Sequence, residues 1–153
     1  MKIILIRHGM TEGNLKRRYI GTTDEDLINT DCLKGDYPKC ERVVASPLKR
    51  CIQTAEYIYP NVDIEICDKL KECDFGDFEN KSYVDLKENP DYQQWLDRNG
   101  ELPFPNGETH EAFKNRCKDE FFESITERDT AFVIHGGSVM ALLQQLFGGY
   151  FYD

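Results

Sequence analysis

Two runs of side chains constrain this chain more than anything else in it: 2–6 near its start (Lys-Ile-Ile-Leu-Ile) and 130–135 near its end (Thr-Ala-Phe-Val-Ile-His). Each is almost unbroken in apolar residues, and each leads into a histidine followed by glycine, at His8-Gly9 and His135-Gly136. Apolar runs this short, without polar alternation, suit strands covered on both faces, which calls for helices on either side of a parallel sheet. Residues 42–45 and 63–67 read as two more strands. Helical patterns fill the intervals over 47–58, 109–125 and 138–147, the first with Pro47 near its opening turn and the last closed by Gly148-Gly149. The alternation predicts an α/β fold, a three-layer α/β/α sandwich with a mainly parallel central sheet.

Residues 74–105 break the alternation. Gly76, Asn80, Asn89-Pro90, Gly100, Pro103 and Pro105 punctuate short helical stretches at 83–88 and 91–98. This reads as an excursion covering one end of the sheet inside a single domain spanning 1–153, a length that can bury a core without disulfides or a structural metal. No repeat, low-complexity tract or linker marks a second domain.

Composition narrows the partners. With 19 basic against 28 acidic residues the net charge is −9, which disfavours nucleic acid but leaves room for a small phosphorylated substrate in a locally cationic pocket. No apolar run approaches a membrane span, and nothing in the sequence specifies an oligomer. The opening apolar run is too short for a secretion signal and meets Arg7-His8 where small residues would be needed. Six cysteines without a Cys-x-x-Cys pair then point to reduced thiols in a cytoplasmic protein.

In an open α/β sheet, ligands bind beyond the carboxyl ends of the strands. Four polar clusters follow those ends: Arg7-His8-Gly9, Ser46-Pro47-Leu48-Lys49-Arg50, Glu72, and His135-Gly136-Gly137. One histidine at the end of a buried strand is as easily structural as functional. Two, with arginines at hand, favour function. Arginine forks match phosphate, and each would contribute about 4 kcal/mol of Coulomb attraction at ~4 Å and an effective dielectric near ~20, before desolvation. Arg50 alone reads as an exposed charge on a helix surface, whereas Arg7 ends an apolar strand, where burial without an anion would be costly.

A nucleophile has to come from a side chain or from metal-activated water. No cysteine is followed by arginine at the spacing of thiol phosphatases, no phosphate-binding Gly-x4-Gly-Lys exists, and no compact His/carboxylate spacing suggests a metal or other cofactor. Asp24-Glu25-Asp26 lacks the preceding apolar strand that an aspartyl-phosphate motif needs. Histidine remains, and a neutral imidazole is a competent covalent nucleophile.

The segment from Leu5 to Asn14 (Leu-Ile-Arg-His-Gly-Met-Thr-Glu-Gly-Asn) resembles the signature of the histidine phosphatase, or phosphoglycerate mutase-like, superfamily. Ser46–Ala55 resembles its second motif, Leu70–Glu79 its acid-bearing segment and His135-Gly136-Gly137 its last, all in the family's order. The resemblance implies a metal-independent phosphatase in which His8 is phosphorylated. It places Arg7, Arg50 and His135 around the phosphate, and Asn14 with Gly21-Thr22 against substrate or phosphate. Glu72, four residues before Gly76, falls where the family keeps its general acid; Asp74, Asp77 and Glu79 compete with it on composition alone.

Glu72-Cys73-Asp74-Phe75-Gly76 differs from the Glu-Arg-x-Tyr-Gly of the mutases, which favours hydrolysis over mutase-type transfer. Together with Pro105–Thr109 it most resembles the α-ribazole-5′-phosphate phosphatases and their broad-specificity relatives. A catalytically inactive phosphate-binding domain is the other alternative, and retention of Glu72 argues against it. Three departures stand out. Residues 27–42 allow at most a short helix, Asn80 replaces a glycine, and many members continue beyond the equivalent of Gly149–Asp153 into a further strand, so looser substrate selection or a longer natural chain is expected.

Overall fold

The computed structural model describes residues 1–148. Four strands, β1 (Ile3–Arg7), β2 (Arg42–Ala45), β3 (Ile64–Ile66) and β4 (Thr130–Ile134), form one sheet in the order β1-β4-β2-β3, with every pairing parallel. Registers of Arg7 with Ile134, and of Ala45 with both Val133 and Ile66, bring all four carboxyl ends level. The ladder continues past them: His8 N–H donates to the Ile134 carbonyl, Ser46 N–H to Val133 and Cys67 N–H to Ala45.

Because successive strand residues face opposite ways, each strand feeds two cores. Ile6, Val43, Ala45, Ala131 and Val133 pack with Cys51, Ala55 and Tyr59 from and beside helix α2 (Lys49–Ile58). Val44, Phe132 and Ile134 pack on the other face with Phe121 of α5 (His110–Glu123) and Leu142 of α6 (Gly136–Phe147). Three layers result, as the alternation predicts. β4 is buried at all five residues, but Ile3, Ile4 and Leu5 of β1 are only half-buried. The apolar run of β1 predicts full cover; among the described residues it is an edge strand with one neighbour.

Short helices α1 (Glu12–Leu15), α3 (Tyr83–Leu86) and α4 (Pro90–Asp97) complete the set. Asn89 caps α4 by accepting from Asp91 and Tyr92 N–H, and Pro90 sits in the first turn, where its missing N–H costs nothing. In the excursion, Phe78, Leu86, Tyr92 and Phe104 gather into an aromatic-rich core against Phe113 and Cys117 of α5 and Ala141 of α6. Asn80 takes a left-handed backbone, φ 58°, a conformation asparagine tolerates better than most residues. A single 3-10 turn, Asp31–Leu33, occupies the span between 27 and 42. Gly148 ends α6 at φ 68°; Gly149 and the terminal residues named above lie outside the described residues.

Candidate active site

His8 and His135 project from adjacent strand ends, their rings 5.2 Å apart between centroids and inclined at 63°. Both are buried. His8 Nδ1 lies 2.7 Å from the Gly9 carbonyl oxygen. A carbonyl only accepts, so Nδ1 carries the proton and Nε2 keeps its lone pair. Burial, with Arg50 and Arg7 assisting against the pull of the Gly9 bond, lowers the His8 pKa to about 4. The ring is therefore neutral over most of the working pH range.

Helix α2 holds this loop still. Gly9 N–H donates to Thr54 Oγ1 at 2.9 Å, and that hydroxyl donates to the Arg50 carbonyl at 2.6 Å. Arg50, Cys51, Thr54 and Ala55 form the buried face of α2. Arg50 is not the surface charge its place in a helix suggests; it is fully buried. Its Nη1 donates to Thr23 O at 2.7 Å and its Nη2 to Gly21 O at 2.9 Å, while Nε is a buried donor without an acceptor among the described residues. A donor left so costs about 1–3 kcal/mol, a penalty that an anion's oxygen would remove.

Arg7 departs from expectation in the other direction. It is exposed, and its guanidinium lies over Gly136, where a Cβ would stand 3.3 Å from Nε. As the last residue of β1 it lies outside the core, so no buried counter-charge is needed.

His135 Nε2 is 2.7 Å from Ser46 Oγ and 3.5 Å from Cys51 Sγ. Burial, then Arg50 and His8, hold its pKa well below the ordinary value. Burial also drives the Cys51 thiol up to about 12.

Glu72 is buried and accepts two backbone bonds, from Cys73 N–H to Oε1 at 3.0 Å and from Gly137 N–H to Oε2 at 3.1 Å. Gly137 has to be glycine for this approach, since a Cβ would stand 2.5 Å from Oε1. Burial raises the Glu72 pKa against the opposing effects of those N–H groups, Arg50 and Arg7. Behind it, Arg116 forks onto Glu108 at 2.9 and 2.8 Å and donates to the carbonyls of Lys69 and Lys71, bracing the backbone that leads to Glu72.

The other acids of that segment are engaged elsewhere. Asp74 accepts from Gly76 N–H and Asp77 from the Asn106 carboxamide. Glu79 Oε1 accepts from Gly21 N–H, Thr23 N–H and the Thr23 hydroxyl. Asp24 and Asp26 accept from Lys49 N–H and the Gln53 carboxamide, which gives both a structural place.

His8, His135, Arg7, Arg50 and Glu72 thus share one electrostatic neighbourhood, while the remaining candidates sit beside it in different ways. Gly21 is buried with its N–H on Glu79 and its carbonyl on Arg50, so its backbone polar groups serve the protein itself. Thr22 is exposed. Asn14 closes a capping box with Thr11, its carboxamide oxygen accepting from Thr11 N–H at 3.3 Å. A methyl on Gly21 would overlap the Cys73 carbonyl oxygen. Gly21→Ala is expected to lower Tm by about 5 °C in a thermal melt, from a clash worth about 1–3 kcal/mol; an unchanged Tm would show that the loop yields freely.

Sequence reasoning missed Thr54, Ser46 and the Arg116–Glu108 pair as supports. The first was detectable, because a threonine one helical turn after Arg50 falls on the face set by Cys51 and Ala55. The other two depend on contacts between distant segments.

Residues 3–151 match the profile of the histidine phosphatase superfamily (branch 1). The uncharacterized phosphatase PhoE of Bacillus subtilis is 32% identical over 160 residues, covering 96% of this chain and 78% of that one. A broad-specificity phosphatase of Saccharomyces cerevisiae is 29% identical over 167 residues, covering 95% and 70%. Among solved structures, the α-ribazole phosphatase of Shigella flexneri superposes with a TM-score of 0.82 at 26% identity, covering 97% of this chain and 80% of that one.

Proposed function

The chain belongs to the histidine phosphatase superfamily, branch 1, and from that membership we propose that it is a metal-independent phosphomonoester hydrolase working through a phosphohistidine on His8. The observation that carries this reading is the His8 ring: neutral, with Nδ1–H committed to the Gly9 carbonyl and Nε2 left with its lone pair.

In the first step Nε2 attacks phosphorus, the N–P bond forms and the P–O bond to the alcohol breaks. Protonated Glu72 gives its proton to the leaving oxygen. In the second step Glu72, now a carboxylate, takes a proton from water as that water attacks the phosphohistidine; the N–P bond breaks and inorganic phosphate leaves. Arg7, the orphaned Nε–H of Arg50 and His135 supply positive charge to the equatorial oxygens. Bound phosphate also favours protonation of His135, offsetting the burial that keeps it neutral in the free protein. Asn14 and Thr22 complete the substrate contacts in this reading.

A buried carboxyl with a raised pKa supports hydrolysis over a phosphate-binding domain without catalysis, because a pure anion site gains nothing from a second negative group. The substrate is a small phosphorylated metabolite, and α-ribazole 5′-phosphate heads the panel to assay, after the relative named above. Alkaline quenching of turnover on a labelled phosphomonoester is expected to leave the label on the peptide containing His8. Label that is acid-stable, or that maps to a cysteine or carboxylate, would overturn the mechanism.

A further inference from the structure

A cleft of about 750 Å³ opens beside Glu72 and Gly137, which form part of its wall. Its position relative to the reaction decides what enters it. In-line attack by His8 expels the leaving oxygen on the far side of phosphorus, and Glu72 has to reach that oxygen to protonate it. Whatever carbon skeleton the oxygen carries therefore lies against the Glu72 wall. This rests on the reading of Glu72 as the general acid.

The remaining lining has a definite chemistry. Phe75, Trp95, Phe104 and Met140 make much of it apolar and aromatic. The rings are set in place: Trp95 Nε1–H donates to the Leu102 carbonyl at 3.1 Å, and Phe75 meets Phe104 edge-on at 5.0 Å. Lys114 is the only lysine or arginine lining the cleft among the described residues; it is exposed, and the lining also carries Glu101 and Glu72. A second phosphate or a carboxylate on the substrate would find no guanidinium fork there, whereas a flat apolar ring would find aromatic faces and edges.

We propose that this cleft is the leaving-group subsite, and that it selects phosphomonoesters whose alcohol carries an apolar ring over compact alcohols bearing a second anion. Removing one ring's apolar surface from water should raise kcat/KM for 2-phenylethyl phosphate roughly 10- to 50-fold over ethyl phosphate. Both expel primary alcohols of similar basicity, so their demands on Glu72 match. 3-Phosphoglycerate is expected to fall at or below ethyl phosphate.

Two variants and one binding measurement test this. Trp95→Ala removes an aromatic wall, and Gln144→Trp narrows the cleft from a half-buried position on α6 that is easier to substitute. Each is expected to cut the phenylethyl-to-ethyl ratio at least fivefold. Trp95 is the single tryptophan of the chain, so its emission reports occupancy without turnover. 3-Phenylpropylphosphonate should shift that emission and bind at least tenfold more tightly than propylphosphonate. A wild-type ratio near one, a ratio unmoved by both variants, or an emission indifferent to the ring would overturn the subsite. No turnover of any ester, with ring-dependent binding intact, would overturn the hydrolase reading and uphold the cleft as a site for ring-bearing phosphoryl ligands.

Discussion

His8→Asn is expected to lower kcat/KM for p-nitrophenyl phosphate by about 10⁴-fold or more, measured in the presence of a metal chelator. Asparagine suits the purpose because its carboxamide N–H can replace the Nδ1–H bond to the Gly9 carbonyl, keeping the turn after β1 while removing the only atom able to attack phosphorus. His8→Ala would lose that bond and leave a void as well, mixing a folding effect with a chemical one. The arginines, His135 and Glu72 remain in the asparagine variant, so residual activity measures what positioning and electrostatics achieve without a covalent intermediate. An unchanged Tm with lost activity assigns the loss to chemistry. Activity within tenfold of wild type would sink the phosphohistidine mechanism outright.

How much of this was legible in the sequence depends on what fixes each part. The strands were, because the four successive apolar residues Ala131–Ile134 call for cover on both faces of a sheet, and β4 has it. Strand β1 carries the same pattern, yet among the described residues it sits at an edge with Ile3, Ile4 and Leu5 half-buried, because an apolar run marks side chains that favour cover and not how many neighbours the strand has. The convergence of His8, Ser46, Glu72 and His135 followed from parallel strands ending level. The two arginines did not follow. Arg50 is buried among backbone carbonyls of the 20–23 loop, acceptors that carry no side-chain signal. Arg7 is exposed at the carboxyl end of β1, where its guanidinium lies over Gly136.

Charge is the other quantity that sequence sums misstate. A net charge of −9 suggests repulsion of anions, yet several acidic groups near the site are already bound to backbone or side-chain donors: Glu25 to Gly13 N–H, Glu79 to the 21–23 loop and Glu108 to Arg116. Arg50 is fully buried with no carboxylate partner among the described residues. Anion affinity depends on that local imbalance and not on the total.

Glu72→Gln is expected to separate the two chemical steps. Glutamine can neither give a proton to the leaving oxygen nor take one from water, so alkyl phosphate turnover should fall by about 10²–10⁴-fold. p-Nitrophenyl phosphate expels a weakly basic phenolate that needs little protonation, while hydrolysis of the phosphohistidine still needs the base. The variant should therefore release nitrophenolate in a burst approaching one equivalent per chain and then turn over slowly. Burial raises the Glu72 pKa above its ordinary 4.5, and the acid is required protonated in the first step, so wild-type kcat/KM on an alkyl ester declines as pH rises through that raised value. On the acid side the decline comes from protonating His8, near pH 4. The ratio of wild type to variant on one ester cancels the substrate's own ionisation, and it should be greatest at low pH and shrink as pH rises. Glutamine also offers one acceptor where Glu72 uses two, on Cys73 and Gly137, so about 1–3 kcal/mol of stability should be lost with it. A variant that folds, shows no burst and keeps the wild-type alkaline limb would remove Glu72 from the chemistry and pass the proton transfers to another group.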